Sequence, residues 1–98
     1  MNSLDFTWDE KKNVSNQKKH NGVSFEEAKT VFADELGRLV PDPEHSEGEQ
    51  RFILMGMSTQ SRILTVCHCE INEDTIRIIS ARKADKNEIK QYEGYGHA

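Results

Sequence analysis

Three strand candidates joined by short turns are the feature that most constrains how this chain of 98 residues folds. The strands run from Arg51 to Met57, from Ile63 to Glu70 and from Thr75 to Arg82. Turns at 58–61 and 71–74 separate them. Because consecutive strands joined by short turns pair antiparallel, this part of the chain predicts an antiparallel meander.

The first part of the chain predicts a short strand and a helix. Apolar and polar residues alternate from Leu4 to Trp8, which is typical of a strand. Asp9 is a good N-cap for a helix that runs to His20, and Asn21-Gly22 is a good stop because both residues accept the left-handed conformation. Val14 is the only aliphatic residue of this helix, so we expect the helix to bury a thin stripe.

A capping box opens a second predicted helix. The hydroxyl of Ser24 can accept from the amide of Glu27, whose carboxylate can reach back to the serine amide. Apolar residues follow at helical spacing, and we expect the helix to end near Asp34. A short fourth strand at 38–40 stops at the Pro-Asp-Pro sequence of residues 41–43.

The last segment predicts a short C-terminal helix. Asp85 can cap this helix, Glu88 completes a second capping box, and Gly94 ends it. We expect residues 95–98 to be a loose tail. The order of elements therefore predicts a single α+β domain over residues 1–98, with N-terminal helices packed on an antiparallel sheet.

The composition favours a small cytoplasmic protein. Hydrophobic residues make up 35% of the chain and are concentrated in its middle, which argues against disorder. No apolar run is long enough to span a membrane, and residues 1–20 lack the apolar segment of a signal peptide. A chain of this length also has no room for a dinucleotide fold or a large cofactor cleft.

The net charge of −4 counts against a nucleic-acid partner, because phosphate contacts usually need a basic field. The charges are unevenly spread, however. Basic residues crowd the segments 11–20 and 77–90, whereas acidic residues gather at 42–49. A locally basic groove is therefore compatible with the acidic total.

The adjacent residues Cys67, His68 and Cys69 do not predict a metal site. On a strand the two thiols share one face and the imidazole points to the other, so the three cannot bind one ion. The chain also has no C-x-x-C or H-x-x-x-H spacing. We interpret both cysteines as reduced packing residues, expect His68 to be buried, and expect neither a metal nor a cofactor.

The last predicted strand carries two arginines. Strict alternation places Arg82 with Ile76, on the face opposite Arg77. Each arginine can be ion-paired, with Glu70 or Glu88 as partner. Each can instead hold a phosphate, since the guanidinium fork matches phosphate oxygens.

An ordered set of short motifs runs from Phe6 to Tyr92. The motifs are Phe6-x-Trp8-Asp9, Lys12, Asn16, Lys19-His20, VSFEEA at 23–28, DPEHSEGExR at 42–51, Arg62-x-Leu64-x-Val66, His68, DTIRIISARxA at 74–84, Glu88 and Tyr92. This set resembles the BrnT family of bacterial type II toxins. Asn21 departs from the pattern as an extra residue before Gly22.

The resemblance implies a RelE-like toxin fold and an endoribonuclease that blocks translation. Cationic side chains on a sheet can hold the scissile phosphate, so we expect cleavage without a metal. It also implies a cognate antitoxin of the BrnA type, which carries a ribbon-helix-helix domain. Operator DNA would then be bound only through the antitoxin. The alternative function is a non-catalytic interaction module that binds a DNA-binding partner and modulates repression of the operon.

The hypothesis of RNA cleavage assigns roles to the clustered cations. RNA supplies its own nucleophile, the 2′-hydroxyl, so the protein must position it, move protons and stabilise the phosphate. The proposed catalytic residues are Arg82 and Arg51 on the scissile phosphate, with His20 or His45 as base or acid. The proposed RNA-binding residues are Lys12, Lys19 and Arg77.

Several of these residues have plainer interpretations. Arg51 can form an ion pair with Glu49 or Glu47. Trp8 and Tyr92 can stack on bases, although core packing is the favoured interpretation. We expect three apolar residues in the core, namely Val31, Phe32 and Ile53.

Overall fold

The chain folds into a five-stranded sheet with helices on both faces. The computed structural model describes residues 4–46 and 48–97, without the side chains of His45 and of residues 95–97. The strands are β1 (Asp5–Thr7), β2 (Arg38–Pro41), β3 (Arg51–Met57), β4 (Ile63–Asn72) and β5 (Thr75–Lys83). The helices are α1 (Glu10–Lys19), α2 (Phe25–Thr30) and α3 (Lys86–His97), with 3-10 helices at Val31–Ala33 and Pro43–His45. This architecture confirms the α+β prediction.

The strand order β1-β5-β4-β3-β2 contains the predicted meander. Strands β2 to β5 pair antiparallel with their neighbours in sequence. At the other edge β1 pairs parallel with β5, with Phe6 opposite Ile76. The prediction of a wholly antiparallel sheet is therefore wrong at this edge. A parallel pair needs a long connection, and the whole chain between β1 and β5 supplies it.

Helix α1 docks through two asparagines rather than through its aliphatic residue. Val14 is 47% exposed, whereas Asn13 and Asn16 are buried. Asn13 accepts a hydrogen bond from the Phe25 amide at 2.8 Å and so ties α1 to α2. The expected apolar stripe is thus replaced by buried amides, which is stable because their polar atoms are hydrogen-bonded.

The side chain of Asn16 forms hydrogen bonds with the backbone of β5, beyond the part of the strand that pairs with β1. Its amide nitrogen donates to the carbonyl of Ala81 at 2.7 Å, and its oxygen accepts from the Ala81 amide at 3.1 Å. The same nitrogen donates to the carbonyl of Val23 at 2.8 Å. The side chain therefore replaces a neighbouring strand and holds α1 beside β5.

A bulge in β5 changes which side chains share a face. Cys67 pairs with Ser80 but the next residue, His68, pairs with Ile78, so Ile79 has no partner in β4. The extra residue shifts the alternation. Arg77 and Arg82 therefore project from the same face, and the prediction that they point in opposite directions is wrong.

The hydrophobic core lies between the sheet and the α1–α2 layer. Its buried members are Val23, Phe25, Ala28, Val31, Leu54, Leu64, Val66, Ile76, Ile78 and Ala81, with Phe6, Trp8 and Phe32 packed against them. Val31 and Phe32 lie where the sequence predicts. Ile53 does not, since it faces the other side of the sheet.

Helix α3 covers one end of that other side. Its capping box is complete, with the Asp85 amide donating to Glu88 and the Glu88 amide donating to Asp85 at 2.9 and 2.8 Å. Tyr92 anchors the helix by donating to Asp34 Oδ2 at 2.6 Å. The helix continues to His97, so Gly94 does not end it and the predicted tail is helical up to that residue. Position 98 lies outside the described residues.

The capping box of α2 is only half formed. Ser24 Oγ accepts from the Glu27 amide at 3.0 Å, as predicted. The carboxylate of Glu27 does not return to Ser24, because it pairs with Arg62 and accepts from Ser58 Oγ at 2.7 Å. The helix itself stops at Thr30, where a 3-10 turn continues to Ala33.

Candidate active site

The face of the sheet opposite α1 and α2 carries the candidate site. Strand register places Arg51, Cys69 and Arg77 in one row across β3, β4 and β5. Further rows along the strands are Ile53-Cys67-Ser80 and Met55-Thr65-Arg82. The two outer rows therefore hold the arginines, and the row between them forms a floor of small and apolar side chains.

A cavity of about 200 Å³ opens over this floor. The lining residues are Asp42, Arg51, Ile53, Thr65, Cys67, Ile79, Ser80 and Arg82. Asp42 is held at its rim, where its amide donates to the carbonyl of Arg51 at 2.9 Å. The β5 bulge thus brings Ile79 and Ser80 into a cavity flanked by two guanidinium groups.

A second cavity, of about 250 Å³, adjoins the first. It is lined by Lys12, Ser15, Asn16, Lys19, His20, Ile79 and Ser80. Because Ile79 and Ser80 line both cavities, the two cavities adjoin at the β5 bulge. We call the two together the cationic groove. It brings together five of the seven proposed site residues.

Arg82 is held by a bidentate ion pair with Glu88. Nη1 donates to Oε1 at 2.7 Å and Nη2 donates to Oε2 at 2.9 Å. Partial burial raises the pKa of Glu88, but hydrogen bonds from Arg82 and the Asp85 amide outweigh it and leave the pKa below its usual value. Glu88 is therefore ionised at neutral pH, and the predicted ion pair is confirmed.

Arg51 and Arg77 share one carboxylate outside the cavity. Arg77 Nη2 donates to Glu49 at 2.5 and 2.6 Å, and Arg51 Nη2 donates to the same carboxylate at 3.4 Å. The hydrogen bond from Arg77 is the main cause that lowers the pKa of Glu49. The predicted ion pair of Arg51 with Glu49 is thus confirmed. The alternative partner, Glu47, lies outside the described residues.

The two catalytic histidine candidates are placed differently. His20 is the C-cap residue of α1, and its amide donates to the Asn16 carbonyl at 2.9 Å. Its side chain lines the cationic groove beside Lys19. His45 ends a 3-10 helix after the proline-rich turn, but its side chain lies outside the described residues.

A family profile described as "Ribonuclease toxin, BrnT, of type II toxin-antitoxin system" matches residues 8–88. The chain belongs to the BrnT family. Such a system implies an antitoxin partner. The match spans all the residues that line the cationic groove.

A solved structure agrees with the family assignment at the level of the fold. The crystal structure of the ribonuclease toxin BrnT from Brucella abortus, determined at 1.1 Å, has a TM-score of 0.66 to this chain. The two are 20% identical, over 86% of this chain and 100% of that one. No curated protein sequence matches the chain.

Other candidates in this BrnT-family chain lie outside the groove. His68 is buried on the core face between the rings of Phe32 and Phe52, and burial lowers its pKa. Burial, with the hydrogen bond to Asp34, raises the pKa of Tyr92 to about 12. Trp8 packs edge-on against Phe25. These positions agree with packing roles rather than with base stacking.

Within the described ranges, no three His, Cys, Asp or Glu side chains are grouped as a metal ion would require. Among the helices of the described residues, none is long and apolar enough to cross a membrane.

Sequence reasoning missed two groups that shape the site of this BrnT-family chain. Asn16 supports the groove wall; it stands among the family motifs and recurs with Asn13 at helical spacing, but neither signal shows that it bonds β5. The buried pair of Glu27 and Arg62 fixes α2 to the turn before β4. Both residues of this pair belong to motifs of the family, but nothing in their local sequence shows that they meet.

Proposed function

We propose that the chain is a metal-independent endoribonuclease that cleaves RNA in the cationic groove and thereby inhibits translation. The observation that carries the proposal is the meeting of the two cavities at the β5 bulge. It places Arg51 and Arg82 in one cavity and Lys12, Lys19 and His20 in the adjoining one. The RelE-like classification stays a prediction.

RNA cleavage of this kind needs cations and proton-transfer groups from the protein, but no nucleophilic side chain, because the RNA supplies the nucleophile. The 2′-oxygen of RNA attacks the adjacent phosphorus, and the bond from phosphorus to the 5′-oxygen breaks. The products are a 2′,3′-cyclic phosphate and a 5′-hydroxyl end. A base must accept the 2′-hydroxyl proton, an acid must protonate the leaving oxygen, and cations must stabilise the crowded phosphate.

The groove supports a division of these tasks. Arg82 and Arg51 neutralise the phosphate over the floor of Cys67. His20 takes part in proton transfer from the second cavity, with His45 as the other candidate. Lys12, Lys19 and Arg77 hold the RNA backbone on either side, which gives binding that weakens as salt rises.

Arg51 and Arg82 would not bind phosphate in the same way. Glu88 occupies both terminal nitrogens of Arg82, so this guanidinium presents its remaining donors without leaving its carboxylate. Glu49 holds Arg51 by one long contact of 3.4 Å, which a phosphate can displace. Arg82 therefore serves as a fixed cation and Arg51 as one that moves onto the substrate.

The test is cleavage of RNA by the purified chain in the presence of EDTA. Wild-type protein should produce fragments with 2′,3′-cyclic phosphate ends. Arg82→Ala and Arg51→Ala should each slow cleavage by roughly 100–1,000-fold, the usual effect of removing one electrostatic donor. Lys29→Ala, on the opposite side near Phe6, is the matched control and should cleave normally. Full activity of both arginine variants would refute this site.

The partner we propose is a BrnA-like antitoxin with a ribbon-helix-helix domain, through which operator DNA is bound. Growth should stop when the chain is expressed alone and recover when the antitoxin is expressed with it. Translation should fall before growth does, which pulse labelling of new protein measures. A toxin that cleaves RNA in vitro but leaves protein synthesis unchanged would contradict the proposed cellular effect.

One observation favours a non-catalytic interaction module as the second candidate. Both arginines of the first cavity already have carboxylate partners from the chain itself, as a structural cation would. This alternative predicts tight binding to the antitoxin and no RNA cleavage at any protein concentration. The same EDTA assay, repeated at rising concentration, separates the two functions.

A further inference from the structure

A second surface lies on the opposite face of the sheet from the cavity of Arg51 and Arg82. The α1–α2 layer leaves part of the core face uncovered, and an open trough of about 260 Å³ crosses it. The trough is lined by Leu4, Phe32, Leu39, Leu54, His68, Glu70, Asn72, Glu73 and Ile76. None of the roles assigned so far uses it.

The floor of the trough is apolar and partly exposed. Leu54 and Ile76 are buried members of the core, whereas Leu4 and Leu39 are 42% and 56% exposed at the two ends. Leu39 lies on β2, the strand at the edge of the sheet. Exposed leucines at both ends of one depression are typical of a surface that another protein covers.

The charges that line the trough are all negative. Glu70 and Glu73 stand at the end where β4 turns into β5, and Asp5 and Asp74 lie beside them, joined by a backbone hydrogen bond of 2.7 Å. Among the described residues that line the trough, none is Lys or Arg. An RNA backbone is repelled by such a rim, whereas a segment with lysines or arginines is attracted.

The length of the trough fits a helix. Its lining residues come from β2 at one edge of the sheet to Leu4, the residue before β1, at the other. Five strands at their usual spacing of about 4.8 Å span about 19 Å. A helix of about 13 residues has this length, at about 1.5 Å per residue.

We propose that this trough is the anchoring site for an amphipathic helix of the antitoxin, with an apolar stripe and lysines or arginines at the acidic end. The identity of the partner rests on the proposed function, but its chemistry follows from the trough. Because no residue that lines the trough also lines either cavity of the cationic groove, anchoring the antitoxin and cleaving RNA depend on different residues.

The experiment titrates the purified chain with the purified BrnA-like antitoxin of the proposed function, by calorimetry. Leu39→Glu and Glu73→Lys should each raise the Kd for the antitoxin by roughly tenfold or more, as the loss of one well-packed or charge-paired anchor does. Val14→Glu is the matched control, because Val14 is 47% exposed on α1 and outside the trough. It should bind like wild type.

Two further results decide the location. Arg51→Ala and Arg82→Ala should keep wild-type affinity for the antitoxin, and Leu39→Glu should still cleave RNA while escaping neutralisation in cells. Loss of binding by the arginine variants alone would place the antitoxin in the cationic groove and overturn the proposal. Retained affinity in both trough variants would overturn it too.

Glu73 lies in an exposed turn, so its variant tests binding without disturbing the core. The titration does not depend on RNA cleavage. If the wild-type chain cleaved no RNA but Leu39→Glu still weakened antitoxin binding, the proposed ribonuclease activity would be contradicted and the proposed binding site supported.

Discussion

Two arginine–glutamate pairs, Glu27 with Arg62 and Glu88 with Arg82, are both bidentate and differ in their surroundings. In both, two guanidinium nitrogens meet two carboxylate oxygens. The Glu27 side chain is 1% exposed and that of Glu88 is 17% exposed. The first pair joins elements of the core layer, and the second lies at the wall of a cavity. The same chemistry is thus a structural clamp in one place and part of a candidate site in the other.

Arg62→Ala should give the largest effect on stability. It leaves the Glu27 carboxylate buried with only Ser58 Oγ as a side-chain partner, which typically costs about 3–5 kcal/mol of unfolding free energy. Urea unfolding followed by circular dichroism measures the loss. Lys29→Ala on the exposed face of α2 is the control. A loss below about 1 kcal/mol would mean that water reaches Glu27 and that the clamp is a surface pair.

The pH dependence of that variant should change sign. In the wild type the hydrogen bond from Arg62 is the main cause that lowers the pKa of Glu27 below 4.5. A lowered pKa stabilises the fold above the unfolded value, and this stability is lost as pH falls through the folded value. Without Arg62, burial should raise the pKa of Glu27 instead, so protonation should favour folding.

Unfolding of both proteins at several pH values between 7 and about 4 tests the reversal. The difference in unfolding free energy between wild type and Arg62→Ala should narrow as the pH falls. A constant difference over the whole range would show that Arg62 stabilises the fold through packing rather than through the charge of Glu27.

Glu88→Gln should act on cleavage more than on folding. The amide keeps one acceptor but removes the negative charge that fixes Arg82, so we expect roughly a tenfold fall in kcat/KM, equivalent to about 1.4 kcal/mol. The unfolding free energy should change by about 1 kcal/mol or less, as for partly exposed pairs. The opposite outcome, a large loss of stability with normal cleavage, would make the second pair a clamp like the first.

Asp85→Ala should give the smallest effect. It removes the N-cap of α3 but leaves the contact between Glu88 and Arg82, so we expect a loss of about 1 kcal/mol. Cleavage should stay within a few-fold of wild type. The matched variant Asp9→Ala removes the equivalent cap of α1, at the helix that carries Lys12 and Lys19. If Asp85→Ala abolished cleavage, α3 would have to be treated as a part of the site.

Local patterns in the sequence predict most of the fold. Capping residues, turn residues and alternation act over a few neighbours, and they placed α1, α2, α3 and the strands of the meander close to where they lie. The errors have one cause in common. The inward face of α1, the parallel pairing of β1 and the direction of Arg77 all depend on residues far away in sequence.

The candidate site could be predicted only in part, for the same reason. Arg82, Arg51 and His20 were chosen as separate cations from their residue types and their place in family motifs. These three residues line the cationic groove because of the bulge at Ile79 and because Asn16 fixes α1 beside β5. Neither a one-residue bulge nor a side chain that replaces a strand has a pattern that single-sequence reasoning can read.

The sequence by itself determined the class of fold, the meander, the helix caps and the resemblance to the BrnT family, because each depends on residues close together in the chain or on their order along it. Tertiary structure alone decided that the cations of α1, β3 and β5 line one groove. It also decided that the apolar trough lies on the face of the sheet opposite Arg51 and Arg82. Side-chain direction in a sheet depends on register, and a single unpaired residue reverses it.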